Sequence, residues 1–376
     1  MHPRPSLWSS ALRLIGSAED AITVARVRRK IARGDLEPAE MVPHRGHGTR
    51  EWLRLQVRVL ERSGVTPGMV DDPWWRNVIT ATRRFVSTEI PGAIVRATID
   101  GQTHEVTTGV EGYARFEVAN TEPERTGWRT AELELVGPLG EGQDRCTATG
   151  EILVPDPHAQ IGIISDVDDT IMHTGLTETA GMLRTTFLHN ATTRVPYPGV
   201  AAFYRALCAG GDVSRPIFFV SGSPWNLYDL IVRFIDRHDI PAGPLFLKDW
   251  GIDEHKFIKE DTHAYKLDRI TRLLETYPEL DVVLIGDSGQ KDPEIYTDVI
   301  TRFPDRIAAV YIRDVTADPS RDEAVRTLLR TLEDHDVPSA FGPSTLSAAT
   351  DAASRGLIDA DRLDGIRRAC EADTAR

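Results

Sequence analysis

The stretch IGIISDVDDTI, Ile161 to Ile171, decides how the rest of the chain is read. A short apolar run and Ser165 lead into Asp166, Asp168 and Asp169, with Thr170 closing the group. Three carboxylates crowded at the end of a buried strand repel one another. A hard divalent cation, which takes oxygen ligands, is the usual means of holding them together.

Downstream of this stretch, apolar runs alternate with helix-like segments. The runs are IGIIS (161–165), PIFFV (216–220), GPLFL (243–247), VVLIG (282–286) and IAAVYI (307–312). Between them lie PGVAAFYRALCAGG, NLYDLIVRFIDRH, YKLDRITRLLETYP and PEIYTDVITRFP, each with an apolar stripe. Continuous apolar strands alternating with helices predict an α/β domain, a doubly wound parallel sheet covered on both faces, over residues 157–335. Residues 336–376 read as a helical tail without visible chemistry.

Upstream, the period changes. WLRLQVRVLE (52–61) alternates apolar with polar residues, and AIVRATIDGQTHEVTTG (93–109) places Asp100-Gly101 as a two-residue hairpin turn. GYARFEVA, TAELELVG and CTATGEILVP continue the pattern, so residues 46–156 are expected to form a β-sandwich-like domain, with a loop and short helix over 71–87. Residues 1–45 read as a helical segment. Its helix, spanning 5–33 and stopped by Gly34, carries Arg26, Arg28, Arg29, Lys30 and Arg33 in its last turns. Those cations suit anionic lipid, as a peripheral membrane contact, or their own helix dipole; the dipole reading is the plainer one.

Composition narrows the class. At 376 residues the chain exceeds what one core usually holds. Its 41% hydrophobic and 27% charged residues are those of a folded globular protein. A net charge of −13 speaks against a nucleic-acid partner. The three cysteines, Cys146, Cys208 and Cys370, lack metal-ligand spacing. With no apolar run near the ~20 residues of a membrane span and no secretory leader, a cytoplasmic protein is expected.

In a doubly wound sheet, ligands gather beyond the carboxyl ends of the strands. Asp166, Asp168 and Thr170 follow the first strand; Ser221, Gly222 and Ser223 follow the second. GDSGQKD follows the fourth and supplies Asp287 and Asp292, while Lys266 stands in the helix leading into it. Asp166, Asp168, Asp287 and Asp292 are candidates to hold Mg²⁺ and to offer a nucleophile and a proton carrier. Thr170, Ser221, Gly222 and Lys266 are candidates to bind phosphate oxygens. Hydrolysis of a phosphate ester fits this kit, with a carboxylate attacking in line and an aspartyl-phosphate dividing the reaction into two steps.

These strand-end groups, DVDDT, FFVS, Lys266 and GDSGQKD, resemble the motifs of the haloacid dehalogenase (HAD) phosphatases. The resemblance implies a HAD-like, Rossmannoid fold, with Asp166 as nucleophile and Asp168 as general acid and base. It also implies Ser221 and Lys266 as phosphate ligands. Mg²⁺ would be held by Asp166, Asp287 and the main-chain carbonyl of Asp168, with Asp292 as a ligand or its neighbour. SDVDDTI, VSGSPWNLY and LIGDSGQKDPEIY further resemble the actin-patch-associated phosphatidate phosphatases, whose substrate is phosphatidate and whose product is diacylglycerol.

Each signal has a plainer reading beside it. Ser221 also suits a helix cap, Trp225 and Tyr228 suit packing better than acyl recognition, and His255 and His263 read as surface residues. Lys266 is preferred to Lys256 and Lys259 because it opens the helix that leads into the fourth strand. The spacing leaves no room for a large cap, only a flap over 172–196 with Arg184, His189 and Arg194, so the site is expected to be open to a bulky substrate. A phosphorylated lipid is the leading substrate. A soluble phosphometabolite or phosphoprotein, and a non-catalytic binding module, are the alternatives; oligomeric state is not readable.

Overall fold

The computed structural model describes residues 24–62, 88–173, 195–248 and 262–375. The start of the N-terminal helix, the 71–87 segment, Lys256 and Lys259, and the flap arginines lie outside the described residues. The chain divides into two compact units, with the break after Val154. No helix among the described residues is long and apolar enough to cross a membrane.

The first unit is built on helix α1 (residues 24–33) and a seven-stranded sheet. Its strands are β1 (Ala39–Gly48), β2 (Trp52–Glu61), β3 (Ile94–Ile99), β4 (Gln102–Thr107), β5 (Tyr113–Ala119), β6 (Gly127–Gly137) and β7 (Thr147–Val154). The alternation read in the sequence is the burial pattern observed. Leu53, Leu55, Val57 and Val59 of β2 face one core with Val95, Ala97, Leu133, Leu135 and Ile152. The β3–β4 turn is Asp100-Gly101, with both residues at positive φ (48° and 76°), as a two-residue hairpin of right-handed twist requires.

Two expectations need correction here. The strands do not divide into the two layers of a sandwich. They form one sheet, in the order β4-β3-β6-β7-β1-β2-β5, mixed because β1 and β7 run parallel, and curled into a barrel-like shape around a single core. Strand β1 also begins at Ala39, inside the stretch read as helical segment. Its sequence AEMVPHRGHG hides the strand: Pro43 interrupts it, and the pairing with β2 shifts between His44 and His47.

The second unit is a mixed α/β body around a six-stranded sheet. Its strands are β8 (Ile161–Ser165), β9 (Ile217–Pro224), β10 (Leu245–Lys248), β11 (Asp281–Asp287), β12 (Ile307–Arg313) and β13 (Ser339–Gly342). Every neighbouring pair is parallel, in the order β10-β9-β8-β11-β12-β13. The helices are α2 (Val200–Cys208), α3 (Tyr228–Arg237), α4 (Thr262–Thr276), α5 (Asp292–Arg302), α6 (Pro319–Leu332), α7 (Thr345–Ser354) and α8 (Arg362–Thr374).

Alternate strand residues explain the layers. Ile164, Phe218, Val220, Leu284 and Val310 share one core with Ile270 and Leu274 of α4, Val299 of α5 and Val325 of α6. On the opposite register, Tyr311 meets Phe203 of α2 edge to face at 6.0 Å, and Ser165 Oγ lies 2.7 Å from Tyr204 Oη. Strands enclosed in this way have no polar face, hence their uninterrupted apolar runs. The tail expected to be helical contributes β13 first, paired with β12 from Val310↔Ser339 to Arg313↔Gly342, and only then its helices. Between β8 and β11 the chain order of the sheet reverses, so the carboxyl ends of these two strands open a crevice.

Candidate active site

The crevice is where the acids sit. Asp166 directly follows β8, and its N–H donates to Ile285 O at 2.9 Å, which ties it to β11. A tight turn follows. Thr170 and Ile171 donate their N–H groups to Val167 O, and Asp169 adopts a left-handed φ of 56°. Asp169, without a role in the sequence reading, is thus the residue that turns the chain; a short polar side chain tolerates that conformation best. Thr170 Oγ1 donates to Asp166 Oδ2 at 3.2 Å, so the motif's last residue steadies its first.

Lys266 lies one turn into α4 and is 2% exposed. Its Nζ is 2.7 Å from Asp166 Oδ1 and 2.6 Å from Asp292 Oδ1. Burial opposes its charge, but Asp166 and Asp292 outweigh burial and hold the ammonium protonated, above its ordinary range. Asp287 ends β11; its N–H donates to Asp292 Oδ2 at 3.2 Å, and its Oδ1 accepts from Gln290 N at 2.8 Å. Gly286 permits this approach, because a Cβ there would stand 2.6 Å from Asp292 Oδ2.

Asp166, Asp287 and Asp292 each place a carboxylate oxygen within 4.8 Å of the others, and all three are buried. Three carboxylates therefore face one ammonium in a buried site. Burial first, and then the neighbouring carboxylates, push Asp166 up to about 8 and Asp287 well above the usual carboxylate range. Asp287 Oδ2 is buried with no hydrogen-bond partner among the described residues. An all-oxygen, over-acidic cluster with an orphaned carboxylate oxygen fits a hard divalent cation.

Asp168 is placed differently from the other acids. Its Oδ2 accepts from Ser221 Oγ at 2.9 Å and from Ser223 Oγ at 2.6 Å, while its main-chain carbonyl accepts from Gln290 Nε2 at 3.3 Å. Ser221 Oγ also accepts from Ser223 N at 2.9 Å, so it holds the turn after β9 as well as the acid. Gly222 packs against α4, where a Cβ would stand 2.5 Å from Thr262 Cγ2. The structure thus brings Asp166, Thr170, Lys266, Asp287 and Asp292 into one bonded cluster, with Asp168 and Ser221 forming a second group beside it.

Ser223, Gln290 and Arg313 belong to the site, yet the sequence reading gave them no role. Ser223 and Gln290 stand inside SGSP and GDSGQKD, where position in the motif was the available signal. Arg313 ends β12, donates from Nε to Thr170 O at 3.3 Å and from Nη2 to Thr345 Oγ1 at 2.9 Å, and stacks 4.1 Å from the Tyr197 ring. Only the fold brings it there.

Residues 161–314 match the family model described as phosphatidate phosphatase APP1, catalytic domain. Phosphatidate phosphatase APP1 of Saccharomyces cerevisiae is 37% identical over 170 residues, 44% of this chain and 28% of the yeast protein. An uncharacterized protein of Schizosaccharomyces pombe is 29% identical over 216 residues, 57% of this chain and 35% of its own length. The chain thus spans about a third of the length of these curated relatives. A carbohydrate acetylesterase from Xanthomonas citri aligns at 10% identity with a TM-score of 0.31, over 86% of this chain and 70% of that one. Every acid and serine described above, together with Lys266, falls inside the matched segment. Through residues 161–314 the chain is similar to the phosphatidate phosphatase APP1 catalytic domains.

Proposed function

We propose that the chain is a Mg²⁺-dependent phosphomonoester hydrolase of the HAD type, with phosphatidate as substrate and diacylglycerol and inorganic phosphate as products. One observation carries this reading. The Asp166 carboxylate stands at the crevice between β8 and β11, 2.7 Å from the Lys266 ammonium and clustered with Asp287 and Asp292. The strand order around that crevice supports the HAD assignment, and the name of the yeast relative supports the substrate.

In the proposed reaction an Asp166 oxygen attacks the phosphorus in line, and the P–O bond to the alcohol breaks as the new one forms. Asp168 gives its proton to the departing alcohol oxygen. A water molecule then attacks the aspartyl-phosphate and loses a proton to Asp168. Inorganic phosphate leaves, and both carboxyl groups return to their starting states. Lys266 offsets charge on the phosphoryl oxygens throughout. Asp166, Asp287, Asp292 and the Asp168 carbonyl would hold Mg²⁺, which would supply further neutralisation of those oxygens. For Ser221 to bind phosphate, its hydroxyl must turn from Asp168 to the substrate. Ser223 then remains to hold the acid.

Phosphate release from phosphatidate in vesicles and from soluble phosphomonoesters, each with Mg²⁺ and with EDTA, tests the reading. Release from the vesicles, abolished by EDTA and by Asp166→Asn, is expected. A wide preference for the soluble esters overturns the lipid substrate, and turnover by Asp166→Asn overturns the aspartyl-phosphate route.

A further inference from the structure

Four residues, Ser288 to Lys291, separate the two acids Asp287 and Asp292, and their loop decides how the two carboxylates face each other. A residue far along the chain gathers this loop. Arg321, in the first turns of α6 and 33 positions beyond Ser288, donates from Nε to Ser288 O at 2.7 Å. Its Nη2 donates to Gln290 O at 2.7 Å, and its Nη1 and Nη2 grip the two oxygens of Glu294 at 2.5 and 3.0 Å. Glu294 sits in the first turn of α5, two positions after Asp292. The guanidinium therefore bridges the loop that follows Asp287 and the helix turn that begins with Asp292.

Only a planar fork with several donors makes all of these bonds at once; an ammonium does not. Among the described residues no ion pair within 4 Å joins Arg321 to the acid cluster; its charge reaches Asp287 and Asp292 only at longer range, while its hydrogen bonds set the backbone between them. The remaining links in the loop point the same way. Ser288 N donates to Arg313 O, Val315 N donates to Ser288 Oγ, and Gln290 N donates to Asp287 Oδ1. Asp292 Oδ2 closes the loop from within by accepting from Asp287 N, and Ser288 Oγ reaches Asp314 Oδ1; Arg321 is the side chain from outside the loop that bonds both of its ends.

We infer that Arg321, locked by Glu294, is a positioning residue that presets the spacing of Asp287 and Asp292 for a divalent cation. The inference rests on the metal reading proposed above and extends it to a residue beyond the matched segment. The partners that orient metal ligands contribute to affinity without touching the ion.

The test is a calorimetric titration of the full chain with Mg²⁺ alone, alongside thermal unfolding in EDTA. Arg321→Met is expected to weaken Mg²⁺ binding about 10- to 100-fold, the range seen when such partners are removed. Arg321→Lys, which keeps the charge and loses the fork, is expected to fall with it. Glu294→Gln, which leaves the carbonyl bonds in place, weakens binding less. An arginine that served the fold alone would lower the melting temperature in EDTA and leave Mg²⁺ affinity unchanged; that result in Arg321→Lys and Glu294→Gln overturns the inference even if Arg321→Met does not fold. A native chain that binds no Mg²⁺ overturns the metal reading itself, and native affinity in the variants overturns the inference alone.

Discussion

Lys266 is the residue on which the acid cluster most depends. It bonds both Asp166 and Asp292, and among the described residues no other cation pairs with either acid. Lys266→Met keeps most of the buried stem and deletes the charge, leaving carboxylates that burial has already made reluctant to ionise. Breaking a buried pair from one side costs about 3–5 kcal/mol. A loss of that size in urea unfolding without Mg²⁺ is the expected outcome, together with loss of turnover. A change below about 1 kcal/mol, the scale of an ordinary substitution, would mean that the acids are protonated or solvated and that the pair is weak.

At the level of elements, the first five strands of the parallel sheet were readable because burial on both faces leaves an uninterrupted apolar run. The chemistry was readable because the acids follow those runs directly. Strand β13 was not, since SAFG is short, half-buried and placed at the sheet edge, with no run to announce it. Strand β1 was obscured by Pro43 and a register shift, and curling of the first sheet into one barrel-like layer depends on long-range pairing such as β1 with β7. The same limit hid Arg313 and Arg321, whose bonds span more than a hundred positions in one case and about thirty in the other. The β11–α5 connection shows how closely elements constrain the site. Gly286→Ala would put a methyl group 2.6 Å from Asp292 Oδ2 and 2.7 Å from its Cβ. Overpacking of this kind costs about 1–3 kcal/mol, and here relief requires Asp292 to leave Lys266. Lower stability and a raised Mg²⁺ requirement are expected; an unchanged Mg²⁺ titration would show that the loop yields without moving the acid.

On the scale of the whole molecule, the site sets the sign of the pH dependence. Asp166 rises from 3.8 to about 8, through burial first and neighbouring acids second, and Asp287 rises for the same reasons. An acid with a raised folded pKa binds more protons in the native chain than in the unfolded one between those values. Native stability without metal is therefore greatest at the acidic end of this window and falls as pH climbs from 3.8 toward about 8. Lys266 does not alter the trend, because its own titration lies above the window in both states. A divalent cation must displace the same protons, so its binding tightens as pH rises and its stabilising effect grows with the ratio of its concentration to its dissociation constant. Urea unfolding at about pH 5 and about pH 8, each in EDTA and in excess Mg²⁺, tests both halves of the argument. The expected pattern is a metal-free protein weaker at the higher pH and a Mg²⁺ increment larger there. A metal-free stability that rises with pH would show that these acids are ionised without strain, and the case for a cation drawn from their crowding would fall with it.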